Sequence, residues 1–73
     1  MRDAELSSHA SDMLSVRRIP EGWVWRTIQA PDREEIGVDD NLHYLKAIEE
    51  NAGRILRVVV NTHVEPRRVV SVL

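Results

Sequence analysis

The chain of 73 residues contains no cysteine. That excludes disulfide staples and thiolate zinc sites, two of the usual ways in which a very small domain is held together. No stretch approaches the roughly 20 consecutive apolar residues that a membrane-spanning helix requires. The opening MRDAELSSHA is polar and lacks the apolar centre of a secretory signal. These absences lead to the expectation of a cytoplasmic protein that does not engage a membrane. Also missing are a phosphate-cradling glycine loop, a nucleophile elbow and a paired-carboxylate motif. Ser8, His9 and Asp12 are close in sequence, but neighbours on one helix do not make a catalytic triad, which needs convergent geometry.

What is present fits one small domain over residues 1–73. A single core of this size rarely supplies more than about 3–5 kcal/mol, and small domains often add an oligomer contact. Oligomerisation is therefore expected, a homodimer being one form of it. The formal net charge is -2, which opposes strong non-specific nucleic-acid binding. The charge is unevenly spread, with Asp32, Glu34, Glu35, Asp39 and Asp40 in the middle. Arg54, Arg57, Arg67 and Arg68 stand against Glu65 near the end. A locally basic surface is compatible with the acidic total.

Residues 1–7 read as a loosely held start. Ser7 or Ser8 suits a helix N-cap, because its hydroxyl can accept from the unpaired N–H groups of the first turn. Ala10, Met13, Leu14 and Arg17 then share one helical face. Pro20 bends the chain and suits the start of a second helix, expected from about Pro20 to Ala30 and ended by Pro31. In that helix Val24, Thr27 and Ile28 share a face, with Trp23 and Trp25 on its flanks. Within the acidic Asp32–Asp40 stretch, Ile36 and Val38 alternate around Gly37 as in a short edge strand. Asp39-Asp40-Asn41 reads as a turn or cap. LHYLKAIEENA, residues 42–52, fits a helix through Leu42, Leu45, Ile48 and Ala52. It also fits a strand facing Leu42, Tyr44 and Ile48 inward, with a turn at Asn51-Ala52-Gly53. Ile55–Asn61 is a β-branched strand, 62–66 a turn and Arg67–Leu73 a last strand. That strand has no terminating signal, so the natural chain is expected to continue beyond Leu73.

The combination of His9-Ala10, Met13 and Arg17-Arg18-Ile19-Pro20 with Tyr44-Leu45-Lys46-Ala47, Gly53–Val60 and Val69-Val70-Ser71-Val72 resembles a family of small bacterial proteins of unknown function. That family is similar to the RelE/ParE toxin superfamily and its BrnT-like relatives. The resemblance covers about residues 8–73. It implies an α+β fold with two N-terminal helices packed on a three- to four-stranded antiparallel sheet, and so a strand at 42–50. A third strand also gives the helices a surface to cover, which a lone hairpin does not. The resemblance further implies a toxin-like protein of the toxin–antitoxin type, with an antitoxin-like protein, RNA or the ribosome as partners. If it is an enzyme, a metal-independent endoribonuclease without cofactors is implied.

On this reading His9 and Arg57 are the candidate catalytic pair, an acid–base imidazole and a guanidinium. Lys46, Arg54, Arg67 and Arg68, with Arg17 and Arg18, are candidates to bind phosphate. Arginine forks pair with phosphate oxygens in bidentate fashion. Lys46 and Arg57 are expected on one exposed sheet face. Each also fits ordinary packing or a solvated surface. Trp23 and Trp25 are candidates for an interface, or for stacking on a base. His9, His43 and His63 lie far apart in the sequence and suggest no metal site. The competing expectation is a non-catalytic interaction module that pairs with itself or a partner through its sheet edge.

Overall fold

A computed structural model describes residues 4–73. In chain order it contains β1 (Ala4–Leu6), α1 (Ser8–Arg17), α2 (Glu21–Gln29), β2 (Arg33–Ile36), β3 (Leu42–Ile48), a 3-10 turn (Glu49–Asn51), β4 (Arg54–Asn61) and β5 (Arg67–Val72). The strands form one sheet in the order β1-β5-β4-β3-β2. β1 runs parallel to β5, and the other neighbours are antiparallel. The α+β class and the two helices agree with the expectation. The sheet is larger than expected, with five strands, and is mixed. The extra strand comes from the segment expected to be loosely held. Ala4–Leu6 pairs with Arg67–Val69, and Ala4 is buried in the core. Three residues are too few to show periodicity, and their partner lies at the other end of the chain. Residues 1–3 of that same segment lie outside the described residues.

This order dictates where the helices go. β1 lies at one edge and β2 at the other, so α1 and α2 carry the chain across one face of the sheet. α1 packs on β5 and β1, and α2 on β3 and β4. The opposite face has no covering layer among the described residues.

The local sequence explains both helices. The Ser7 hydroxyl accepts from the Ala10 N–H at 3.0 Å, as the capping rule requires. Ala10 and Leu14 are buried, whereas Met13 is half-buried and Arg17 exposed, so the inward stripe is narrower than the sequence suggested. Arg18 ends the helix in the left-handed region at φ 56°, and its N–H returns to the Leu14 and Ser15 carbonyls. Pro20 caps α2 rather than occupying its first turn. Val24 and Thr27 are buried, and the Thr27 hydroxyl donates to the Trp23 carbonyl at 2.8 Å. Trp23 and Trp25 are both half-buried on the flanks.

β3 resolves the helix-or-strand ambiguity in favour of the strand. Tyr44 and Ile48 face the core beside Leu42, opposite Val58, Arg54 and Val60 respectively. Lys46 falls on the same side, opposite Leu56. It is tolerated because its ammonium reaches the rim and donates to the Ala30 carbonyl at 2.8 Å, at the end of α2. Asp32 lies 3.7 Å from that ammonium and accepts from the Ala47 N–H at 2.8 Å. The expected edge strand is shifted: β2 ends at Ile36, and Gly37–Asn41 turns, leaving Val38 fully exposed. The turn before β4 passes through Ala52 and Gly53, both at positive φ. The core is aliphatic, with Val24, Ile48, Val58, Val60, Val69 and Val72 almost wholly buried. Among the described residues, no buried side-chain polar atom lacks a partner, and no helix is long and apolar enough to cross a membrane.

One ion pair ties α2 to the β3–β4 turn: Arg26 donates to Glu50 at 2.8 Å. The guanidinium holds the Glu50 carboxyl at about 2, below its ordinary 4.5. A carboxyl whose pKa is lowered by folding adds stability above its unfolded pKa, and that stability is lost as pH falls through the folded value. The melting-temperature difference between the chain and Glu50→Gln is therefore expected at neutral pH. It should shrink as pH drops from about 4.5 towards about 2, and vanish below that. Both side chains are about half exposed, so the difference will be small. Thermal melts across pH check it; a difference that grows on acidification would contradict it.

Candidate functional site

The candidate residues divide between the two faces and one end of the sheet. His9 is exposed on α1, beside Asp12, Met13, Val16 and Arg17, around a shallow depression of about 370 Å³. Arg57 alternates with Leu56 and Val58, which face the helices, so it points to the opposite face. The structure therefore does not bring His9 and Arg57 together. Lys46 and Arg57 do not share a face either, because β3–β4 register sets Lys46 opposite Leu56 and Arg57 opposite Leu45. Lys46 is occupied as the rim contact of α2. Arg67 lies on the helix side, its guanidinium 3.5 Å from the Tyr44 hydroxyl. Arg68 is exposed on the other side, between Glu5 and Asn61 in register. The Trp25 indole N–H donates to Glu21 at 2.8 Å.

Arg57 belongs to a chain of polar contacts on the bare face. Its guanidinium donates to Glu35 at 3.2 Å and to Nδ1 of His43 at 2.9 Å. A guanidinium only donates, so Nδ1 must accept. His43 Nε2 then carries the proton and donates to Asp39 at 3.1 Å. The Asp39 carboxyl is held below the usual carboxylate range, first by the Asn41 backbone N–H and then by the His43 ring. Gly37 makes room for this contact: a Cβ there would lie 2.5 Å from His43 Nε2 and 2.7 Å from an Asp39 oxygen. Both ring nitrogens are committed, which leaves no lone pair to take a substrate proton. The chain of contacts fastens the β2–β3 turn to the sheet. His43 looked incidental in the sequence, and only strand register reveals its neighbours. Among the described residues, no group of three His, Asp or Glu side chains is placed to hold a metal ion.

Convergence occurs at the end of the sheet where β4 begins. Arg17, Ile19, Trp23, Asn51, Arg54, Ile55, Leu56 and Leu73 line a groove of about 420 Å³. The left-handed turn at Arg18 sends Ile19 back towards the core, and Arg17 and Trp23, on either side of that turn, both line the groove. Gly53, at φ 73°, leads into β4, where Arg54 shares the helix-side parity of Leu56 and joins the lining. Leu73 is held there by two backbone bonds with Arg57, at 2.8 and 3.0 Å. Arg17 and Arg54 are exposed and have no ion-pair partner among the described residues. Two unneutralised guanidiniums beside an indole suit an anionic ligand with a flat ring. Arg17, Arg54 and Trp23 are among the candidates from the sequence; Asn51, Ile19 and Leu73 are not, because only the fold brings them there.

The chain matches no protein-family model, and no curated protein or solved structure shows significant similarity to it.

Proposed function

We propose that this chain is a toxin-like protein that binds single-stranded RNA, and that the groove between Arg17, Trp23 and Arg54 is the contact. The observation that carries the reading is the convergence of two unpaired guanidiniums and an indole on one groove of about 420 Å³. That volume falls in the range of about 300–1,000 Å³ typical of small-ligand sites. The toxin-like part rests on the sequence resemblance. RNA cleavage through His9 and Arg57 gains no support, because those residues lie on opposite sides of the sheet. Self-pairing through a sheet edge gains little: β1 has three residues, and β2 carries Arg33, Glu34 and Glu35, which discourage strand addition.

Because the chain as a whole is net acidic, affinity should come from a few local contacts rather than from a broad basic field. In a Trp25→Phe background, titration with short unstructured RNA is expected to quench Trp23 fluorescence. The logarithm of affinity should fall with the logarithm of salt with a slope of about -1.4, the value for neutralising two phosphate charges on a single strand. Unchanged fluorescence at saturating RNA, with no binding by anisotropy, would overturn the reading.

A further inference from the structure

We infer that the groove takes one nucleotide bearing a phosphate monoester, rather than an internal stretch of a strand. The inference rests on the reading of the groove as the RNA contact and narrows it. Three features carry it.

The first is charge and donor matching. Arg17 and Arg54 present two guanidinium forks to one groove. An internal phosphodiester carries one negative charge and two free oxygens, which a single fork satisfies. A monoester carries about -1.5 to -2 at neutral pH and three acceptor oxygens, which match two forks.

The second is size. The groove holds about 420 Å³ and one tryptophan lines it. A strand-tracking site instead combines a long basic groove with successive aromatic platforms. Trp25, the other indole, is engaged by Glu21 and does not line this groove.

The third is what surrounds the groove. Glu49 and Glu50 immediately precede Asn51 on its wall, and Glu50 is matched by Arg26 while Glu49 is exposed. A long polyanion running past would meet these acids, whereas a single terminal phosphate seated between the arginines would not. The shared chemistry is a flat base joined to a phosphate monoester. Its source is either the phosphorylated end of an RNA or a free mononucleotide.

Fluorescence anisotropy and competition with the full chain test this. The probes are a short unstructured RNA with a 5′-phosphate, the same RNA with a 3′-phosphate, the same RNA with hydroxyls at both ends, and a free nucleoside monophosphate. At least one phosphorylated RNA end, or the mononucleotide, is expected to bind about tenfold or more tighter than the dihydroxyl RNA. Arg54→Lys, which keeps the charge but loses the fork, should erase most of that preference without changing the melting temperature. If the mononucleotide competes as well as the phosphorylated RNA, the free nucleotide is the ligand. If the RNA end is much stronger, the chain end is. Equal binding of dihydroxyl and phosphorylated RNA would overturn the inference and leave the RNA-binding reading standing. Binding by none of the probes would overturn both.

Discussion

Ile48→Ala is expected to leave the chain largely unfolded at room temperature. Ile48 is 1% exposed, at the end of β3 opposite Arg54, and its carbonyl accepts from the Gly53 N–H at 2.9 Å. Truncating a buried isoleucine to alanine costs about 2–5 kcal/mol, from lost transfer energy and the cavity left behind. A single core of this size supplies about 3–5 kcal/mol in total. One such change can therefore remove most of the margin. Ile55→Ala is the control, because Ile55 is 58% exposed on the other face and should cost below about 0.5 kcal/mol. Urea titration followed by circular dichroism separates the two. Equal midpoints for both variants would mean that the helices do not cover the face of β3 that carries Ile48.

Replacing Arg17 and Arg54 together by alanine is expected to lower RNA affinity by about a hundredfold or more. Each hydrogen-bonded contact of a guanidinium with phosphate contributes about 1.5–3 kcal/mol, and two such losses make at least two powers of ten. Stability should change by no more than about 0.5 kcal/mol, because both side chains are exposed and make no ion pair among the described residues. Arg57→Ala should show the opposite pattern. It leaves the His43 Nδ1 acceptor without its donor and Glu35 with Arg33 alone, so it should lower the melting temperature. RNA affinity, measured below the melting transition, should then stay near that of the parent chain. A loss of binding in Arg57→Ala with full binding in the double variant would move the site to the sheet face.

How far the sequence reached depends on the range of the forces involved. The two helices, their break at Arg18–Pro20 and the last two strands were legible, because capping, proline and β-branched runs act locally. Residues 42–48 carry a local pattern that suits a helix, and Lys46 interrupts the strand alternation. Their strand state comes from pairing with β2 and β4, which local periodicity does not encode. β1 escapes the sequence reading for the same reason, since the strand it pairs with is more than sixty positions away, in register at Arg67–Val69.

The site shows the same division. Parity along one strand already separates Arg54 from Arg57. Lys46 and Arg57 could be assigned to their faces only after the register set Lys46 opposite Leu56. In the sequence Arg17 fits both the end of a core stripe and a phosphate contact. It is exposed because α1 buries only Ala10 and Leu14, and that exposure brings it to the groove.

The most direct test of the groove as the RNA contact is a nuclear magnetic resonance titration of the isotopically labelled chain with short single-stranded RNA. Resonances of Arg17, Asn51, Arg54 and the Trp23 indole N–H are expected to shift progressively, while His43, Leu45 and Arg57 stay in place. Shifts confined to His43, Leu45 and Arg57, with the groove unmoved, would contradict it.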